Sequence, residues 1–168
     1  MAQRKVVNMN EYIDGSIGVS YSSHASAKLL NDMWAVTEGF TYQIDDKRSI
    51  HIPQGYLTDG ATVPRWLWAL IPPWGNHGKA SVVHDYLCEY LQVWCDGERV
   101  KITRDECNKI FYQCLIKTGV GKIKAKAMYA AVVAHTRLAS IIYYSYDPVK
   151  HDIEKYLASE FKRTGIWK

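Results

Sequence analysis

Apolar residues along this chain change their period near residue 53, and the change divides it into an extended part and a helical part. Residues 1 to 31 are polar and carry no firm period, leaving room for only a short strand or helix. From Met33 onward, "MWAVTEGFTYQI" and "RSIHIPQGYL" are rich in β-branched and aromatic residues and are joined by "DDK". Trp34, Val36, Phe40, Tyr42 and Ile44 follow an alternating pattern interrupted at Gly39, which predicts a hairpin with a bulge at that glycine. Pro53 lacks an amide proton, so it ends the second strand or places it on an edge.

Beyond that point the spacing predicts helices. Thr62 is the candidate N-cap of a short helix, "PRWLWALI", with Pro64 in its first turn and Pro72 and Pro73 as its stop. Asn76 is placed to cap a second helix, "HGKASVVHDYLCEYLQ", with Ala80, Val83, Leu87, Cys88 and Leu91 as its inward stripe. Thr103 and Glu106 stand three apart as a capping box for a third helix, which Gly119 closes. A fourth helix is expected from Ile123 to Tyr144, with Ala127, Ala130, Ala131 and Ala134 on a side that another helix approaches closely. After Pro148 comes an amphipathic helix, "VKHDIEKYLASEFKR". The fold class that follows is α+β: an N-terminal β-hairpin or small antiparallel sheet packed on about four to five helices. With 168 residues and no long linker or repeat, a single domain over 1–168 is expected.

Composition narrows the function classes. The hydrophobic share is 48% and the charged share 23%, as in an ordinary globular protein. The net charge of +4 is dispersed, and Lys122, Lys124 and Lys126 spread around a helix axis, which argues against nucleic acid as a partner. The four cysteines show no paired metal-ligand spacing; Cys107 and Cys114 fall on the inward stripe of the third helix. The opening "MAQRKVVNMNEY" has no apolar leader core, and no run approaches the roughly eighteen apolar residues of a bilayer span. A reduced, cytoplasmic setting without membrane insertion is the expectation.

Chemistry concentrates in two places. "VVHDYL" turns His84 inward, with Asp85 rotated by about 100° to the edge of the same face. Asp59 sits in a Gly-bounded turn, "TDGA", ahead of the short helix. A histidine oriented by an acid suits a base or a metal ligand. Asp59, His84 and Asp85 are therefore the candidate catalytic residues and the candidate ligands of a divalent transition metal such as zinc. Arg65, in a first helical turn where a cation is unfavourable, is expected to pair with Asp59 or Asp85 or to hold an anionic substrate group. Trp66 and Trp68 lie about 200° apart on a helix, so one packs inward and the other lines the surface, with Thr62 beside it. In the opposing reading these residues form a buried, fully satisfied polar network with no catalytic role. The His-Asp pair is similar to that of metal-dependent HD phosphohydrolases. His77, however, lies on the same helix about 10 Å from His84, too far to share an ion.

The block "IPQGYLTDGATVPRWLWALIPPWGNHGKASVVHDYL", with "TRDECNKIFYQCL" and "MYAAVVAH", resembles the phage and prophage family catalogued as domain of unknown function 1353. The likeness covers about residues 50 to 137. The polar positions it carries over are Thr58, Asp59, Gly60, Thr62, Pro64, Arg65, His84 and Asp85, while Asn108 stands where the family usually has Asp. The resemblance implies a viral or prophage origin, in host cytoplasm or virion, and brings no established activity. Two functions stay open: a small, metal-assisted hydrolase of cell-wall peptide or a phosphorylated metabolite, and a non-enzymatic virion component or accessory factor that binds a phage or host protein.

Overall fold

The computed structural model describes residues 17–60, 75–139 and 147–165. The order of elements is β1 (Val19–Tyr21), α1 (Ser23–Leu29), β2 (Trp34–Val36), β3 (Phe40–Gln43), β4 (Arg48–Ile52), β5 (Leu57–Thr58) and α2 (Gly78–Tyr90). Then follow β6 (Gln92–Cys95), β7 (Glu98–Lys101), α3 (Arg104–Lys117), α4 (Lys122–Ala139) and α5 (Pro148–Thr164). The fold is α+β. Among the described residues, two small antiparallel sheets, β1-β2-β5 and β3-β4-β6-β7, are combined with five helices.

The expected hairpin forms as β3 and β4, with Phe40 opposite Ile52 and Gln43 opposite Ser49. Its turn is held by the Asp45 carboxylate, which accepts from the amides of Lys47 and Arg48 and pairs with Arg48 Nε at 2.7 Å. Tyr42, Ile44, Ile50 and Ile52 alternate into the core. Trp34–Val36 is not part of this hairpin. It pairs with β1 and β5 instead, and the chain crosses between the two sheets at Gly39. A Cβ on Gly39 would stand 2.9 Å from the Gln54 amide nitrogen, so close backbone approach, rather than a bulge, is what requires glycine there.

The chain after Pro53 is not wholly helical as expected: β6 and β7 form a second hairpin. Leu91 turns left-handed at φ 49°, ending α2 short of Gln92. Asp96 and Gly97 both take positive φ, 50° and 90°, which suits a two-residue hairpin turn whose twist matches its strands. At the other end of α2 the cap position belongs to His77, with no side-chain cap bond, and not to Asn76. The capping box of α3 forms as expected, with Thr103 accepting from Glu106 N and Glu106 accepting from Thr103 N. The short helix expected over 64–71 lies outside the described residues, as does the end of α4 expected beyond 139.

The main core lies between the second sheet and α2, α3 and α4. Leu87, Leu115, Val93 and Ile52 are fully enclosed there, and Cys107 and Cys114 are buried as expected. A smaller core, with Ala25, Ala35, Leu57, Ile153 and Leu157, joins the first sheet to α1 and α5. The alanine side of α4 points the other way from expectation. Ala127, Ala130 and Ala134 are exposed, while Ala125, Met128 and Thr136 are buried. Met128 and the partly buried Val132 remove more apolar surface from water than a row of methyl groups can, and they set the rotation of the helix.

Thr103→Ala removes the cap of α3 without touching the core. Chemical denaturation is expected to show a loss of about 1 kcal/mol with an unchanged slope.

Candidate functional site

Helix α2 sends its two candidate residues to different places. His84 faces α3: its Nε2 lies 2.8 Å from Asn108 Oδ1, and its ring stacks on Phe111 at 4.8 Å. Oδ1 is a carbonyl oxygen and can only accept, so Nε2 carries a proton in this pairing. Thr136 on α4 adds a longer contact to the same oxygen, 3.4 Å, while donating to Val132 O at 2.6 Å. His84 thus joins three helices. Burial disfavours its charged form, but hydrogen bonds with Cys88 and Asn108 outweigh that and hold the ring above its ordinary range. Cys88 Sγ is 3.5 Å from Nε2, yet its hydrogen bond with Cys107 and its burial push the thiol well up, so it stays protonated.

Asp85 looks into a cleft of about 280 Å³. Strand β5 delivers Thr58 and, directly after it, Asp59 to the same cleft. The Thr58 hydroxyl donates to Asp85 Oδ2 at 2.6 Å and accepts from Gly60 N at 3.0 Å. Asp59 is exposed at the mouth, where Asn31 Nδ2 approaches it at 3.5 Å. Burial and the neighbouring Asp59 charge raise the Asp85 carboxyl well above the usual carboxylate range. The Thr58 hydrogen bond and the Lys150 charge offset only part of this.

The opposite wall comes from α2 and α5. Lys150 Nζ pairs with Glu89 Oε2 at 2.5 Å and lies 4.3 Å from the Tyr56 ring centre, while the Tyr56 hydroxyl donates to the same Glu89 oxygen at 3.0 Å. Glu154 Oε1 accepts from Leu57 N at 2.9 Å and so pins β5 to α5. Glu89 Oε1 is buried and has no hydrogen-bond partner among the described residues. Among the described residues lining the cleft, the carboxyl residues Asp59, Asp85, Glu89 and Asp147 face the ammonium of Lys150.

The structure therefore brings Asp59 and Asp85 together and separates His84 from them; His84 is not among the described residues lining the cleft. The expected three-ligand set does not form: no three His, Cys, Asp or Glu side chains among the described residues are grouped to hold a metal. Thr62, Arg65, Trp66 and Trp68 lie outside the described residues. Tyr56, Glu89, Asp147 and Lys150 were not anticipated. Glu89 stands four residues after Asp85, hence on the same helix face, and that spacing was the available signal. Lys150 and Glu154 are likewise four apart on α5.

Two outcomes follow. His84→Ala strands Asn108 and opens the helix junction, so urea denaturation is expected to show a loss of about 2–4 kcal/mol. Asp85→Asn acts through pH. A carboxyl whose folded value is raised favours the native state below its ordinary value of 3.8, and that contribution is lost as pH rises through the folded value. The variant is therefore expected to melt higher than the parent at neutral pH, with the gap closing in acid.

Among the described residues no helix is long and apolar enough to cross a membrane. Residues 34–132 match the family described as "Protein of unknown function (DUF1353)". The chain is also similar to two proteins of Sinorhizobium fredii (strain NBRC 101917 / NGR234). "Uncharacterized protein y4jT" is 35% identical over 98 residues, covering 56% of this chain and 26% of that protein. "Uncharacterized protein y4iH" is 31% identical over 80 residues, covering 46% of this chain and 29% of that protein. The chain thus spans less than a third of the length of either relative. No solved structure matches. With its Thr58-Asp59-Gly60 turn and the His84-Asp85 helix both inside the matched region, the chain belongs to the DUF1353 family.

Proposed function

We propose that this chain is a small hydrolase whose reacting groups are the carboxyl pair Asp59 and Asp85. The observation that carries this is the raised Asp85 carboxyl standing in an open cleft beside Asp59. Neighbouring carboxyl groups that titrate apart provide an acid and a base at one pH. Asp85 holds its proton and delivers it to the leaving group. Asp59, exposed at the mouth, takes a proton from water as that water attacks. Thr58 fixes one Asp85 oxygen and leaves the other for the transferable proton. His84 acts at a distance, by holding α2 against α3 and α4.

The cleft's charge selects a substrate class. Among the described lining residues, Asp59, Glu89 and Asp147 face Lys150 while Asp85 holds its proton, which favours a neutral or cationic group, such as an amide or glycosidic bond of cell-wall material, over a phosphorylated metabolite. A divalent metal such as zinc would meet Asp59 and Asp85 here, but not His84, whose Nε2 proton is directed at Asn108. The viral or prophage origin implied by the sequence resemblance accords with a wall-degrading role.

The second reading is a non-enzymatic virion component or an accessory factor binding a phage or host protein. It is favoured by two buried polar networks, His84–Asn108–Thr136 and Tyr56–Glu89–Lys150–Glu154, which lock helices onto each other and onto β5.

A hydrolysis screen separates the two. Peptidoglycan peptides, glycan fragments and p-nitrophenyl phosphate are offered to the parent, Asp59→Asn and Asp85→Asn. Turnover of a peptide or glycan is expected, with each variant slowed by about 10²-fold or more while still folded. Absence of turnover on every substrate, or variants that keep the parental rate, would remove the hydrolase reading and leave the second.

A further inference from the structure

A second cavity, of about 210 Å³, shares no described lining residue with the carboxyl cleft. Its lining includes Ile50 and Val93 from the core face of β4 and β6 and a polar set from the opposite face. Trp94 pairs with Ser49 and with Arg99 across the ladder, so His51, Gln92, Trp94 and Arg99 share that face by the alternation of strands. Its sides are Tyr86 and Tyr90 from α2 and His151 and Glu154 from α5. Tyr86 and Tyr90 are 4.4 Å apart at a 39° tilt, and the Arg99 guanidinium covers one side of the Trp94 ring at 5.0 Å. Trp94 is nonetheless 41% exposed, unusual for an indole in a chain with this much core to fill.

The geometry points to a binding site for a single pyranose ring of a glycan. Its volume is below that of a drug-sized pocket, so one ring fits rather than several. Aromatic faces offer an apolar platform to the C–H side of such a ring. The rim is mixed: Arg99 only donates, Glu154 accepts when ionised, and Gln92 and the two histidines do both. Sugar hydroxyls donate and accept at once, so they match a rim of both kinds. Carboxylate and phosphate ligands would have Glu154 against them.

This site stands apart from the hydrolase reading, and neither depends on the other. Chitotriose, cellotriose, maltotriose and adenosine monophosphate are titrated calorimetrically into the full chain, with saturation-transfer NMR to identify the contacting ring. At least one trimer is expected to bind with a Kd at or below about 1 mM. Trp94→Ala and Gln92→Ala are expected to weaken it at least tenfold at unchanged melting temperature, whereas Asp85→Asn leaves it within twofold. Failure of all three trimers to bind up to about 10 mM overturns the proposal. So does tighter binding of the nucleotide, or a trimer whose affinity ignores both pocket variants.

Discussion

Consecutive residues on an α-helix are turned about 100° from one another, and α2 is covered on more than one side. That constraint decides what its His-Asp dipeptide can do. Once Ala80, Val83, Leu87 and Cys88 face the main core, His84 goes with them and meets Asn108, while Asp85 is carried round to the cleft. An imidazole and a carboxylate adjacent in sequence thereby work in separate environments. One is enclosed and hydrogen-bonded; the other is desolvated beside a second acid. The carboxyl pair and the helix junction are two sides of one rotation.

Local signals were legible wherever the chemistry was local. The Thr103/Glu106 box, the β3–β4 turn at Asp45 and the Pro148 start of α5 each rest on residues within four positions of one another. Less could be read where the decision was made by packing. The alternation on either side of Gly39 suggested one hairpin with a bulge, yet Gly39 hands the chain from one sheet to the other: β2 pairs with β5, and β3 with β4. The Asp96-Gly97 turn was a local signal in plain view, but the helical period of the preceding residues drew the eye past it. On α4 the alanines suggested an interface, and the larger Met128 and Val132 won it.

The site was legible in half. Asp59 and Asp85 were named from turn and helix position, and strand β5 brings them together. The partner of His84 was not, since Asn108 stands 24 residues away, and a contact across two helices leaves no trace in spacing. The far wall was hidden for the same reason: Lys150 meets Glu89 across 61 residues.

That wall lies partly outside the region shared with the family. Tyr56, Thr58, Asp59, Asp85 and Glu89 fall inside the shared region 34–132, whereas Asp147, Lys150 and Glu154 come from a helix beyond it. The cleft thus draws on residues from inside and outside the matched region. Asp59 and Asp85 lie within it, whereas Lys150 lies beyond it, on a helix docked where Gly55, at φ 88°, lets Ala158 come within 3.1 Å of where a Cβ would stand. Both relatives are longer than this chain, and most of their sequence lies outside the matched stretch. A change in α5 would therefore reshape one wall of the cleft while leaving Asp59 and Asp85 in place.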